Sequence, residues 1–308
     1  MKLIYLVVSM AIVLFKINAG LSLLLGLILG LIRVNPSPKE VKKISSKLLS
    51  WSIIGLGSGL NLSVIIEHGF KGLAITSVQL VLVFILGYLF ARALKMKGDS
   101  WLLITCATAI CGGSAIAAVS TAIKSKADEI SISLAIVFVL NAVALFIFPF
   151  FGKELSLTQY QFGLWSALAI HDTSSVVGST MQYGAEALST GTTFKLSRAL
   201  WIVPVTFIIS YFVKRTRGRE SGAITYPWFI LGFLTMAGLF SFFSSLETFK
   251  EPISNLARTG FSLSLFLVGT TFSIENLKNV GFKPMIHGVS VWILVSILSL
   301  YFIKTFSF

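Results

Sequence analysis

Between Lys71 and Arg92 no side chain carries a charge, and the same is true between Glu129 and Lys153. A third such run lies between Lys283 and Lys304, with only His287 to titrate. Each run is about 20 residues, the length of helix that crosses the hydrocarbon core of a bilayer. A backbone that leaves water must satisfy its own N–H and C=O groups, so runs of this kind predict α-helices in lipid. Charges cut the rest of the chain into similar pieces. We read spans near 3–15, 17–33, 48–66, 72–94, 100–123, 130–151, 157–181, 194–213, 225–245, 257–274 and 284–304. The fold expected is therefore all-α and polytopic, with about eleven transmembrane helices (10–11) in a single membrane domain over residues 1–308. The longest connections, 35–47 and 214–223, leave no room for a soluble domain. The first apolar run is read as a span, because no small-residue cleavage site follows it.

Composition agrees: 55% of the 308 residues are hydrophobic and 12% charged, with mean hydropathy +0.89. A soluble domain usually carries about twice that charge. The net charge of +13 is spread singly and in small groups between apolar runs. That pattern marks membrane topology, not a nucleic-acid partner. Placing the N-terminus in the cytoplasm gathers most of the 25 basic residues on that side, including Arg33 to Lys47 and Lys214 to Arg219, although Lys124 and Lys126 fall opposite.

The chain also resembles itself. Gly59-Leu60-Asn61-Leu62-Ser63 precedes Gly69-Phe70-Lys71, and Gly269-Thr270-Thr271-Phe272-Ser273 precedes Gly281-Phe282-Lys283. The copies fall in the third and tenth spans, an odd separation that gives them opposite orientation. Inverted repeats of this kind are common in secondary transporters.

Of the twelve acidic residues, only Asp172 lies inside a span. A carboxylate there is costly unless paired, hydrated or neutral, so it points to a proton or cation site or a gate. The structural alternative is an N-cap at a helix end at the membrane surface. His171 beside it titrates near physiological pH, and Thr173, Ser174 and Ser175 offer hydroxyls to an ion or to the backbone. A second segment, Cys111-Gly112-Gly113-Ser114, places two glycines in mid-span. A helix broken there exposes N–H groups to an anion; the alternative is close packing through small residues. Cys106 and Cys111 have neither disulfide nor zinc spacing and are read as packing residues. Lys195 and Arg198 share one helix face at the start of the eighth span. They either snorkel to headgroups or, Arg198 in particular, attract an anion. His68 is expected in a loop and His287 at the surface. No catalytic motif, metal set or cofactor signature appears, so the chain is not expected to be an enzyme; an intramembrane protease is the enzymatic alternative.

Residues 110–118, 57–63 and 171–178, with Phe162-Gly163-Leu164-Trp165 and Pro227-Trp228-Phe229, resemble the YeiH-like, UPF0324 proteins, which carry the label of sulfate exporters. The resemblance runs from about Gly20 to the C-terminus. It implies a bacterial inner-membrane protein distantly similar to the cation/proton antiporter and bile-acid symporter superfamily, with inverted repeats and crossing broken helices. Cys111–Ser114 fits one break and the stretch from His171 its partner. One departure stands: the repeat pairs the third and tenth spans, whereas these breaks lie in the fifth and seventh. The function expected is secondary transport of a small anion such as sulfate or an organosulfur compound, coupled to H⁺ or Na⁺. The substrate-binding set is Cys111, Gly112, Gly113, Ser114, Asn61, Ser63, Thr173, Ser174, Ser175 and Arg198, and the ion-coupling set is Asp172, His171 and Asn141. A homodimer is compatible with this reading, and cation/proton antiport is the rival function.

Overall fold

A computed structural model describes residues 2–17, 19–32, 38–59, 62–217, 228–271 and 281–305. Among them there is no strand. The helices are α1 (Lys2–Leu14), α2 (Ala19–Leu31), α3 (Pro38–Leu56), α4 (Leu62–Ala93), α5 (Ser100–Ala109), α6 (Gly113–Ala122), α7 (Ala127–Glu154), α8 (Gln159–Ala169), α9 (Thr173–Tyr183), α10 (Ala185–Ala199), α11 (Ile202–Arg217), α12 (Phe229–Phe242), α13 (Glu247–Thr270) and α14 (Phe282–Thr305). Among the described residues, four stretches are long and apolar enough to cross a membrane: Gly72–Ala93, Asp128–Glu154, Ala185–Arg215 and Phe282–Thr305. Five more apolar helices are shorter.

Exposure on these helices is inside-out relative to a soluble protein. On α4, Thr76 and Gln79 are buried while Val78, Val81, Ile85 and Leu89 are exposed. On α7, Ser133 and Asn141 are buried while Phe146, Ile147 and Phe150 are exposed. Water would drive the reverse arrangement, so the solvent for these faces is lipid. The chain is a multi-pass helical membrane protein.

The chain folds into two compact units, Met1–Glu67 with Pro227–Ile274, and His68–Tyr226 with Glu275–Phe308. The first packs α2 and α3 on α13, with α12 on α3. Its helices approach through small residues. A Cβ on Gly269 would lie 2.8 Å from the Leu23 carbonyl oxygen, and one on Gly260 2.7 Å from Ser52 Oγ. Such close backbone approach is how helices pack where hydrophobic collapse gives no drive. The second unit holds α4 from His68 onward, α5 to α11 and α14, and its core runs through Ile104, Ile136, Leu140, Phe148, Leu164, Trp165 and Trp292.

Several boundaries differ from expectation for identifiable reasons. The sequence reading divides the spans 48–66 and 72–94 at the polar stretch around Glu67–Lys71. The structure instead interrupts the chain after Leu56, in a short 3₁₀ turn at Gly57–Gly59, and carries α4 unbroken past Glu67. Charged residues do not by themselves stop a helix, whereas the closely spaced glycines of Gly57-Ser58-Gly59 weaken one and let the chain pass close to a neighbour; a Cβ on Gly57 would fall 2.5 Å from the Phe233 carbonyl oxygen. His68 is accordingly within α4, not in a loop. The eighth span starts at Ala185, so Lys195 and Arg198 stand near the C-terminal end of α10. Much of the repeat sequence, including Leu60, Asn61, Phe272 and Ser273, lies outside the described residues.

Candidate functional site

Two of the expected spans are broken in mid-course. α5 ends at Ala109 and α6 starts at Gly113. Between them Ile110 departs from helical geometry (φ −122, ψ −92), and Gly112 adopts φ 67, ψ −128. That left-handed φ is strained for residues with a Cβ. α8 ends at Ala169 and α9 starts at Thr173, with Ile170 and Asp172 extended. The local sequence explains the second break: Ile170 and His171 followed by Asp172, Thr173 and two serines favour a helix start over a helix interior. Asp172 is the N-cap, its Oδ1 accepting from Ser175 N at 2.6 Å. It is thus a helix cap, as the structural alternative held, but at an internal break and only partly buried. The two breaks touch, since a Cβ on Gly112 would sit 3.0 Å from Asp172 Cβ and 3.3 Å from Asp172 N.

The C-terminal ends of both half-helices are completed by side chains. A helix leaves its last four carbonyls without intrahelical partners. On α8, the Ala167 oxygen accepts from Arg198 Nη1 at 3.0 Å and Lys195 Nζ at 3.3 Å. The Leu168 oxygen accepts from Arg198 Nη1 at 2.6 Å and Gln79 Nε2 at 2.8 Å. Trp292 Nε1 donates to the Ala169 oxygen at 3.1 Å, and Lys195 Nζ to the Ile170 oxygen at 2.6 Å. On α5, Gly112 N returns to the Ala107 oxygen at 3.0 Å. Arg198 supplies the last two, Nε to the Ala109 oxygen at 2.7 Å and Nη2 to the Thr108 oxygen. One guanidinium therefore joins two helix ends. Both cations sit where each helix dipole is negative. They are buried, Lys195 at 0% and Arg198 at 1% exposure, and not at the headgroups.

Asn141 of α7 clamps the second break. Its Oδ1 accepts from His171 N at 3.2 Å and Asp172 N at 3.3 Å, while its Nδ2 donates to Asp172 Oδ2 at 2.8 Å. His171 is buried, its Nε2 3.0 Å from Thr108 Oγ1. That hydroxyl donates to the Ile104 oxygen at 3.0 Å, so it accepts from Nε2–H. Nδ1 then carries a lone pair, and no partner for it is found among the described residues. His287 is also buried, contrary to the surface position expected, because its Nε2 reaches Thr105 Oγ1 and the Trp101 oxygen, each at 3.2 Å.

The structure thus gathers most of the expected residues at one place. Cys111 and Gly112 are buried in the first break, Gly113 is half-buried at the start of α6, and Ser114 is exposed there. Thr173, Ser174 and Ser175 form the buried first turn of α9 beside Asp172 and His171. Asn61, and the side chain of Ser63, lie outside the described residues. Arg198, expected at a substrate, directs its Nε, Nη1 and Nη2 to backbone oxygens. Gln79, Thr108 and Trp292 are not among the residues expected from sequence, although a glutamine or an indole deep in an apolar run is a visible signal. No group of metal-binding side chains occurs among the described residues.

Residues 3–288 match the family described as Conserved hypothetical protein 698. The chain is similar to the UPF0324 membrane protein Bd1437 of Bdellovibrio bacteriovorus, 49% identical over 282 residues, covering 91% of this chain and 87% of that one. It is 42% identical over 286 residues to the UPF0324 membrane protein VP0936 of Vibrio parahaemolyticus, covering 92% of each. The chain belongs to the UPF0324 membrane protein family. A UPF0324 membrane protein of Bacteroides thetaiotaomicron is 41% identical over 289 residues, covering 93% of this chain and 86% of that one. No solved structure matches. In this UPF0324 protein the internal breaks thus belong to a chain aligned with its relatives along nearly its whole length.

Proposed function

We propose that the protein is a secondary-active transporter of a small anion, with sulfate or an organosulfur compound as first candidates. The observation that carries this reading is the meeting of two broken helices at Gly112 and Asp172, with both C-terminal ends neutralised by buried cations. Irregular backbone at membrane depth is tolerated where it is enclosed by protein or lines a cavity, and in transporters such breaks form the substrate site. The start of α6, with Gly113 and Ser114 reachable and no side-chain cap on Gly112, presents N–H groups suited to anionic oxygens. The cluster of Asp172, His171 and Asn141 is the place for a coupling H⁺ or Na⁺. About eleven crossings, an inverted repeat, a cytoplasmic N-terminus in the bacterial inner membrane and alternating access by one bundle rocking against another belong to the same reading.

Purified protein in liposomes tests it. Labelled sulfate or methanesulfonate is expected to accumulate under an imposed H⁺ or Na⁺ gradient. Flux no faster than in empty liposomes would sink the anion reading, and wild-type flux in Asp172→Asn would sink the coupling role of that carboxylate. The partly exposed carboxylate with an amide beside it also suits a cation, which favours cation/proton antiport as the second reading. Collapse of a pH gradient by Na⁺ or K⁺ with no transportable anion present would select it.

A further inference from the structure

The two buried cations at the breaks are not equivalent. Arg198 has four carbonyl acceptors on two helices, and a guanidinium does not give up its proton in a protein. Lys195 has two acceptors, the oxygens of Ile170 and Ala167. An ammonium has three N–H groups and a neutral amine two. Loss of one proton therefore leaves Lys195 able to hold both carbonyls, and the helix cap survives either state.

The surrounding charges give that proton a reason to come and go. Each helix end carries about half an elementary charge, so the C-terminal ends of α5 and α8 together offset about one of the two positive charges. Among the described residues no carboxylate pairs with either cation. Asp172 turns its oxygens to Ser175 N and Asn141 instead, where the N-terminal ends of α6 and α9 offset it. The other titratable groups near Lys195 are Arg198, Cys111 and His171; the His171 ring donates from Nε2 to Thr108 and, among the described residues, leaves Nδ1 bare, a neutral imidazole, and Cys111 is a free, buried thiol that brings no charge. One buried positive charge is left over. An uncompensated buried charge is strongly unfavourable unless a partner arrives or the group neutralises.

We propose that Lys195 is the proton-carrying group of the anion site: it is neutral when the site is empty and takes up one proton when an anion docks at the breaks. This rests on anion binding there and deepens that reading at one point: the proton coupled to the anion sits on Lys195, and the cluster around Asp172 is left as the place for Na⁺. By linkage, the anion and the proton raise each other's affinity by the same factor. Anion affinity then falls with rising pH, by up to about tenfold per pH unit where one proton is taken up per anion.

Sodium sulfate and sodium methanesulfonate are suitable probes because neither titrates near neutral pH. Full-length protein in detergent is titrated with each in weakly buffered solution, reading heat for binding and a pH-sensitive dye for proton uptake. The wild type is expected to take up close to one proton per bound anion. Lys195→Arg, permanently charged, is expected to bind without uptake and with affinity flat in pH. Lys195→Met is expected to bind at least about tenfold more weakly, again without uptake; it keeps the test decisive should the arginine variant fail to fold. Wild-type binding without proton uptake, or undiminished uptake in the lysine variants, overturns the assignment and leaves the anion reading standing. Absence of binding by the wild type overturns both.

Discussion

Replacing Arg198 by methionine removes the guanidinium while keeping an apolar stem of similar reach. Of its four acceptors, two keep another donor: Lys195 Nζ remains on the Ala167 oxygen and Gln79 Nε2 on the Leu168 oxygen. The carbonyls of Thr108 and Ala109, at the end of α5, lose the donors that Arg198 gave them. Each buried carbonyl left bare costs about 1–3 kcal/mol. Removing a buried charge returns some desolvation energy, as replacements of buried ion pairs by apolar residues show. The net destabilisation expected is therefore about 2–4 kcal/mol, a large share of a total stability on the order of 5–15 kcal/mol. It should also be local. Hydrogen exchange in detergent should speed up at the amides around the first break, residues 107–113, while α13 in the other unit stays at its wild-type rate. The apparent melting temperature should fall by roughly 5 °C or more. Arg198→Lys is expected to rescue part of the loss, because an ammonium cannot span both helix ends. A methionine variant that melts with the wild type and keeps its exchange pattern would refute the idea that this side chain holds the two helix ends together.

Three further outcomes follow from the same geometry. Gly112→Ala forces a Cβ into a positive-φ residue 3.0 Å from Asp172 Cβ, at a cost of roughly 1–3 kcal/mol, and liposome flux should fall more than thermal stability does. Asn141→Leu removes the clamp on His171 N, Asp172 N and Asp172 Oδ2; chemical denaturation should show a loss of about 2–5 kcal/mol, whereas Asn141→Asp should be tolerated only at low pH, where a proton can sit between the two carboxyls. Trp292→Phe keeps the ring against His171 but strips the donor from the Ala169 oxygen, a loss of about 1–3 kcal/mol that should appear as faster exchange at residues 169–172.

Both breaks are legible in the sequence because their causes are local. Gly112-Gly113 in mid-span and Asp172 followed by Thr173, Ser174 and Ser175 weaken a helix or begin one whatever surrounds them. The partners of those breaks are not legible, for a physical reason. Arg198, Lys195, Gln79 and Trp292 bind backbone oxygens, and a carbonyl leaves no trace in residue identity. The pair Lys195 and Arg198 is visible as one helix face, but nothing in the sequence tells a cation capping a buried helix end from one reaching the headgroups. His287 defies a surface position because, although the first turn of a span is ordinarily wet, here Thr105 and the Trp101 oxygen receive it. The run Glu67–Lys71 mimics a loop because charge often marks the ends of spans, whereas the glycines at 57 and 59 set the interruption.

The donors that complete α5 and α8 come late in the chain, and this orders events during synthesis. α5 and α8 are made before Arg198 and Lys195 on α10, and Trp292 on α14 follows nearly a hundred residues later. A bare carbonyl within the bilayer costs several kcal/mol, so neither half-helix can settle in lipid when it first emerges. The nascent segment 100–183 needs a hydrated or protein-lined shelter until α10 arrives, and the end of α8 stays incomplete until α14 does. A chain halted before residue 282 would carry both breaks yet lack the indole on Ala169, leaving a membrane protein that is inserted but unfinished.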